Sequence, residues 1–237
     1  KGGALDIESG LYHLYISHAC PLAHRSLIIR TLLGLEDHIS VDVVDWRMNA
    51  DGSWSFNPDE EGATADTVNG ESGLEGIYNR AFEGWNESRS IGTVPVLWDK
   101  KHATVVNNES REIIRMFDQF SKEGFGNGAT LCPPELMQEI DNMIDANYES
   151  VNNGVYKSGF ARTQEAYDEA VTALFERLDQ LEAHLDEREW LVGEDKGQLT
   201  EADICLFTTL VRFDLVYVVH FKLSLIHISE PTRQDSI

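Results

Sequence analysis

The stretch from Tyr12 to Leu35 constrains this chain more than any other. Tyr12-His-Leu-Tyr-Ile16, with Leu11, Leu14 and Ile16 apolar, reads as a short strand. After a turn, Leu27, Ile28, Leu32, Leu33 and Leu35 recur at helical spacing. Cys20 therefore stands where a strand hands over to a helix. Pro21 takes the first helical position, where its missing N–H costs nothing. Unpaired backbone N–H groups and the positive end of the helix dipole face that sulfur. Such a setting favours the thiolate, which is the nucleophilic form of cysteine. A buried structural cysteine is the ordinary alternative, and the place directly before proline at a strand-to-helix turn favours the reactive thiol.

Ile39 to Val44 alternates again and completes a βαβ unit, which implies a parallel strand pair. From Asp45 to about Gly73 periodicity lapses. A loop of that length is expected to serve function, and it carries Trp54 and Phe56. Leu74 to Phe82 suits a short helix. Thr93 to Asp99 reads as a strand with Pro95 near its start, where a cis bond is expected. Ala103 to Val106 is its hairpin partner, and Asn107-Asn108-Glu109-Ser110 opens a helix carrying Ile113, Ile114, Met116 and Phe117. The order β-α-β-loop-β-β-α is the thioredoxin-like arrangement, which by itself fixes no function.

Beyond a linker at Gly124–Gly128 the pattern turns all-helical, from Pro134 to about Tyr148 and from Gln164 to Arg188. Thr200 is expected to cap a further helix, answered by Asp203 three residues on, with Leu199 stapling to Ile204. Leu206, Phe207, Leu210, Val211 and Phe213 are its expected buried face. The fold class is α/β plus all-α: a thioredoxin-like domain over residues 1–123 and a helical domain over 129–222. Leu223 to Arg233 resembles the translation of a sequencing-library adapter, so 223–237 is expected to be a non-native tail. The expectation is a helical domain cut at about Lys222, and, with no initiating Met, a chain shortened at its front as well.

Charge narrows the function. Lys and Arg total 19 against 41 Asp and Glu, a net charge of −22. That balance argues against a nucleic-acid partner, since gripping phosphates needs a basic surface. It also implies self-repulsion relieved by salt, and so a salt-rich host. Equal thermal stability with and without molar KCl would remove that idea. No run resembles a membrane span of about 20 apolar residues, and no membrane partner is expected. Three cysteines, Cys20, Cys132 and Cys205, form no disulfide framework and point to the reducing cytoplasm. His13, His18 and His102 show no metal spacing, so neither a metal nor a permanently bound cofactor is expected.

Redox proteins of this arrangement use Cys-x-x-Cys, in which a second thiol resolves the mixed disulfide. Here Ala23 holds the second position. A lone Cys20 attacks sulfur but cannot release itself, so an external small thiol of the glutathione type is required. The backbone beside a cis proline nominates Val94 and Pro95 to pair with a peptide thiol. At a helix start Glu109 suits an ammonium, and Ser110 with the free N–H groups suits a carboxylate. Both residues also serve as caps. Trp54, in the long loop, suits a ligand cover or a core anchor. His24, four residues after Cys20, is read as a structural histidine. Tyr156 sits in a Gly-bearing break between helices, where a phenol can act as donor or acid. Tyr217 belongs to an apolar helical run.

Several blocks, in order, carry a resemblance: Tyr-His-Leu-Tyr-Ile-Ser-x-Ala-Cys-Pro-x-Ala-His-Arg, Thr-Val-Pro-Val-Leu-Trp-Asp-Lys-Lys, Asn-Glu-Ser-x-Glu-Ile-Ile-Arg-Met-Phe, Val-Asn-Asn-Gly-Val-Tyr-Lys-x-Gly-Phe-Ala, Leu-Thr-Glu-Ala-Asp and Thr-Thr-Leu-Val-Arg-Phe-Asp. From about Leu11 to Lys222 the chain resembles the glutathionyl-hydroquinone reductases, the Xi class of glutathione transferases. The resemblance implies reductive removal of glutathione from glutathionyl-hydroquinones, with glutathione or a related thiol as co-substrate and a homodimer for the full-length parent. Cys20 attacks the thioether sulfur, the hydroquinone leaves, and a second glutathione frees Cys20. Trp54, Val94, Glu109 and Ser110 match glutathione-holding positions, and Tyr156 matches a tyrosine of the quinone site. Leu22 stands where the family usually has Trp, and it joins Tyr217 as a candidate for the substrate pocket. Ile91 replaces a family arginine, for which Arg89 is the nearest substitute. A second family tyrosine of the quinone site lies downstream of the matched region. The rival readings are general glutathione-dependent reduction of mixed disulfides and a non-catalytic binding protein of the same fold.

Overall fold

All five residues of β1 (Tyr12–Ile16) are buried. This strand runs through the middle of the sheet, where even His13 is fully enclosed. The computed structural model describes residues 6–85 and 91–225. Arg89, the first five residues of the lead-in, and the adapter-like stretch beyond Leu225 lie outside them.

The sheet order is β2-β1-β3-β4. β2 (Ser40–Val43) is parallel to β1, with Leu14 opposite Val41. β3 (Val96–Asp99) is antiparallel to β1, with Leu14 opposite Leu97, and β4 (Thr104–Asn107) is antiparallel to β3. With α1 (Pro21–Leu32) between β1 and β2, and α3 (Ser110–Phe120) after β4, this is the thioredoxin-like arrangement. α2 (Leu74–Ala81) ends the long loop.

The buried stripe of α1 differs from the expected one. Ala23 and Ile29 face the core, as do Leu33 and Leu35 just beyond the helix, while Leu32 is 40% exposed and Leu27 and Ile28 are half-buried. Polar Arg25, Ser26 and Arg30 share the inner side. Arg30 is tolerated there because its guanidinium donates to the carbonyls of Ile39 and Glu36.

The glycine-rich stretch 124–128, expected as a free linker, is sewn to the end of α1. Asn127 donates its backbone N–H to Leu33 O and its side-chain amide to Leu32 O, each at 2.9 Å. Those carbonyls have no partner inside the helix, so an outside donor is stabilising. The buried Asp118 carboxylate holds the next turn through Thr130 Oγ1 and Leu131 N. The chain separates into two compact units, 1–131 and 132–237.

The second unit contains α4 (Met137–Asn147), α5 (Gly154–Gly159), α6 (Gln164–Leu185), α7 (Glu201–Leu210) and α8 (Val218–Phe221). Wide π-type turns, Tyr148–Asn152 and Phe213–Tyr217, join α4 to α5 and α7 to α8. The capping box at Thr200 and Asp203 forms, and Asp203 also accepts Leu191 N at 2.9 Å. The expected inner face of α7 is mostly outside. Leu206 is buried, but Phe207, Leu210 and Val211 are 48%, 39% and 47% exposed and Phe213 is half-buried. Glu201, Ala202, Cys205, Thr208 and Thr209, at spacings of three and four, face inward instead. Thr209 and the Cys205 carbonyl pair with the buried Asn152 amide, which explains polar residues on the inner side. Contrary to expectation, one helical run, Glu201–Phe221, is long and apolar enough by length and composition to cross a membrane. Of its apolar residues Ile204, Leu206 and Tyr217 are buried, whereas Phe207, Leu210, Val211, Leu215 and Val219 are exposed.

A polar cluster pins the sheet to the long loop. His13 Nδ1 lies 2.7 Å from Ser40 Oγ, and Nε2 lies 3.2 Å from Asp42 Oδ2, both side chains of that ion-pair contact being buried. Thr67 donates its N–H and hydroxyl to the same Asp42 oxygen. Burial pushes the Asp42 carboxyl up, but the contacts from His13 and Thr67 outweigh it and hold the carboxyl below its ordinary range. A depressed folded pKa adds stability that is present above the unfolded pKa and lost as pH falls through the folded one. Asp42→Asn is expected to cost about 2–3 kcal/mol at pH 7, because the two Thr67 donors lose their charged acceptor. That difference should shrink in urea titrations at progressively lower pH.

Candidate active site

Cys20 occupies the N-cap of α1 in an extended conformation, and its carbonyl accepts the first helical bond, from His24 N at 3.0 Å. Its side chain does not cap the helix. The thiol is directed at the Val94 carbonyl, with Sγ 3.6 Å from the oxygen. The Val94–Pro95 peptide is cis, as expected. The cysteine and the cis proline, 75 residues apart in sequence, thus meet at one end of the sheet. Cys20 is half-buried, so its sulfur is sheltered but reachable. Leu22, at the second position of α1, is half-buried too.

The segment before Pro95 is clamped from two sides. Tyr78 on α2 donates its hydroxyl to Thr93 O at 2.9 Å, and Asn108 donates its amide to Thr93 Oγ1 at 3.1 Å. Burial raises the Tyr78 phenol, which stays a neutral donor. Gly92 lets the Tyr78 ring pack close, since a Cβ there would lie 3.0 Å from it. Asn108 leads directly into the cap of α3. There Glu109 accepts Arg111 N at 3.3 Å, and Asn107 Oδ1 accepts Glu109 N at 2.7 Å. Ser110 is buried and donates to Glu109 Oε1 at 3.4 Å. The Glu109 carboxylate is exposed, so capping leaves it open to an ammonium group.

Trp54 is half-buried, and its main chain is fixed against the start of α2: Trp54 O accepts Leu74 N at 2.9 Å, and Ser55 pairs with Gly73. A chain of contacts thereby runs from Trp54 through α2 and Tyr78 to Thr93, and on through Asn108 to Glu109. Ile91 is 52% exposed, and its Cδ1 lies 3.2 Å from where a Cβ on Gly52 would sit.

The two tyrosines belong to the second unit. The irregular break expected around Tyr156 is the short helix α5. Tyr156 Oη lies 3.1 Å from the hydroxyl of Tyr217, which is buried in the π-type turn after α7. Phe221 packs edge-on against Tyr156 and stacks with Tyr217. The expected core role of Tyr217 and its place beside Tyr156 are therefore compatible. Sequence reasoning did not find Tyr78, Asn108 or the pairing of the phenols. Asn107-Asn108 ahead of a helix was a usable signal for the second of these, whereas a contact across 61 positions leaves no local trace. Cys20, Cys132 and Cys205 form no disulfide among the described residues, and no group of three potential ligands there could hold a metal ion.

A thiol at a helix start lies beside a cis proline, and Asn108 links the segment before that proline to an exposed helix-capping carboxylate. Residues 19–119 match the family model for the glutathione S-transferase N-terminal domain, and residues 164–230 the model for its C-terminal domain. The chain is 50% identical over 220 residues to glutathionyl-hydroquinone reductase YqjG of Escherichia coli, covering 93% of this chain and 65% of the relative. It is 47% identical over 232 residues to glutathionyl-hydroquinone reductase PcpF of Sphingobium chlorophenolicum, covering 96% and 72%. The Xi-class glutathione transferase structure from Natrialba magadii superposes with a TM-score of 0.85 at 48% identity, over 94% of this chain and 66% of that one. The glutathione-bound structure of YqjG gives 0.84 at 50% identity, over 92% and 69%. The chain thus spans about two thirds of the length of these relatives. On sequence identity and fold together, it belongs to the Xi class of glutathione transferases, the family of the glutathionyl-hydroquinone reductases.

Proposed function

We propose that this chain carries the thiol chemistry of a glutathionyl-hydroquinone reductase, with glutathione or a close relative as co-substrate. The observation that carries this reading is the Cys20 thiol on the Val94 carbonyl beside cis-Pro95, with Ala23 in place of a resolving cysteine. The Cys20 thiolate attacks the sulfur of the aryl thioether and forms a Cys20–glutathione disulfide. The carbon–sulfur electron pair passes to the aromatic carbon, which takes up a proton and leaves as the hydroquinone. A second glutathione thiolate attacks the glutathione sulfur of that disulfide, giving oxidised glutathione and returning Cys20 as thiolate. Conjugate and glutathione are consumed one to one, and hydroquinone and oxidised glutathione are formed.

In this reading Val94 and Pro95 offer the backbone that pairs with the peptide, Glu109 takes its ammonium, Ser110 and the α3 N–H groups take its carboxylate, and Trp54 covers it. Tyr156 supplies a proton or hydrogen bond on the hydroquinone side, supported by Tyr217, and Leu22 and Tyr217 border the quinone. The division of labour is a glutathione domain over 1–123 and a helical domain over 129–222. A homodimer of the longer family protein and a cytoplasmic site of action complete the reading, the latter supported by a cysteine count of three, too few and too odd for a disulfide framework.

The test is turnover of glutathionyl-menadiol by the full chain with excess glutathione, with mass spectrometry of the enzyme during turnover. Release of menadiol together with a glutathione adduct on Cys20 supports the proposal. Turnover of small mixed disulfides alone would replace it with general thiol transfer. A chain that binds glutathione but turns over neither substrate would be a binding protein.

A further inference from the structure

Asp66 is 6% exposed and has no place among the residues of the thiol seat or the quinone side. One carboxylate oxygen accepts the Tyr15 hydroxyl at 2.9 Å and the backbone N–H groups of Val68 and Asn69 at 3.1 and 3.0 Å, and the other accepts Glu71 N at 2.9 Å. Asn69 returns to the same phenol, its amide donating to Tyr15 Oη at 2.9 Å. Tyr15 lies in the fully buried strand β1, so this carboxylate ties the end of the long loop to the buried centre of the sheet. Thr64 and Thr67 add fixings on the neighbouring strand, through Val43 and Asp42.

Immediately after this tie, residues 72–74 hold Trp54. Ser72 O accepts Phe56 N, Leu74 N donates to Trp54 O, and Ser55 pairs with Gly73. The approach is close enough that a Cβ on Gly73 would lie 2.9 Å from the Trp54 carbonyl oxygen. Residues 72–74 are thus joined on one side to the loop fixed by Asp66 and on the other to the main chain of residues 54–56.

We propose that Asp66 is a positioning residue for the thiol seat, fixing Trp54 through the 72–74 segment while touching neither thiol nor Cys20. This rests on the reading of Trp54 as a thiol-covering residue. A purely structural Asp66 would lower stability without a preference for Trp54, so the discriminating quantity is the coupling between the two positions.

Reduced glutathione is titrated calorimetrically into the full parent chain, Asp66→Asn, Trp54→Ala and the double variant. Asp66→Asn is expected to weaken binding about tenfold in the parent and less than about twofold where Trp54 is already absent. The rate of Cys20 alkylation by iodoacetamide should stay within about twofold of the parent, since the seat of the sulfur is untouched. Equal losses with and without Trp54 overturn the proposal. No loss on Trp54→Ala, or no binding by the parent, overturns the reading of Trp54 itself and the proposal with it. Where Asp66→Asn does not fold, Tyr15→Phe removes one bond to the same carboxylate. It should show the same dependence on Trp54 with a loss of about threefold, and a loss independent of Trp54 again overturns the proposal.

Discussion

Replacing Cys20 by alanine is expected to lower glutathionyl-hydroquinone turnover at least about a thousandfold, the scale of losing a covalent nucleophile. The physical reason is that no other sulfur can take over. Ala23 offers no second thiol on the same helix turn, and Cys132 and Cys205 are each 2% exposed in the other unit. Stability should change by less than about 1 kcal/mol, because the side chain is half-buried and its contact with the Val94 carbonyl, at 3.6 Å, comes from a weak thiol donor. Serine in the same place keeps the shape and a stronger donor but not the soft, ionisable nucleophile, and should be as inactive as alanine. Steady-state assays with glutathionyl-menadiol and thermal unfolding decide the matter together. Turnover of the folded alanine variant within about tenfold of the parent would sink the mechanism.

The second large effect is on folding. Gly126→Ala is expected to destabilise the first unit by about 4 kcal/mol, near the upper end for a single substitution. A Cβ at Gly126 would lie 2.1 Å from the Leu33 carbonyl oxygen. That oxygen is main chain and cannot swing aside, and it also accepts Asn127 N, while Asn127 reaches Leu32 O through its side chain. Relieving the clash means lifting the 124–128 segment off the end of α1 and stranding both carbonyls, at about 1–3 kcal/mol for each group left unsatisfied. A Tm lowered by about 10 °C is the observable consequence. Gly128→Ala is the control: its φ is +78° but nothing lies within 4 Å of the added Cβ, so left-handed strain of about 1–2 kcal/mol is the whole cost. Equal losses at the two glycines would mean that the docked segment contributes nothing.

Elements whose signals are local were legible in the sequence. Cys20-Pro21, the Thr200–Asp203 box and cis-Pro95 each depend on chemistry within a few residues, and the structure contains them all. Errors arose where burial depends on distant neighbours. The inner face of α7 was assigned by apolarity to Phe207, Leu210 and Val211, yet Thr208 and Thr209 lie inside because Asn152, more than fifty positions earlier, gives this face a polar partner. The glycine-rich stretch at 124–128 reads as a linker by composition. It is docked because the orphan carbonyls at the end of α1 need its donors.

Spacing and residue chemistry alone were enough to nominate Cys20 at its helix start and to give the order of strands and helices. Long-range contacts had to form before the rest could be seen: the thiol resting on the Val94 carbonyl, Tyr78 and Asn108 clamping Thr93, and Asp66 tied to Tyr15 ahead of the segment holding Trp54. The partners in these contacts stand 15 to 74 positions apart, and they pair when burial removes water as a competing partner. Local periodicity carries no record of them.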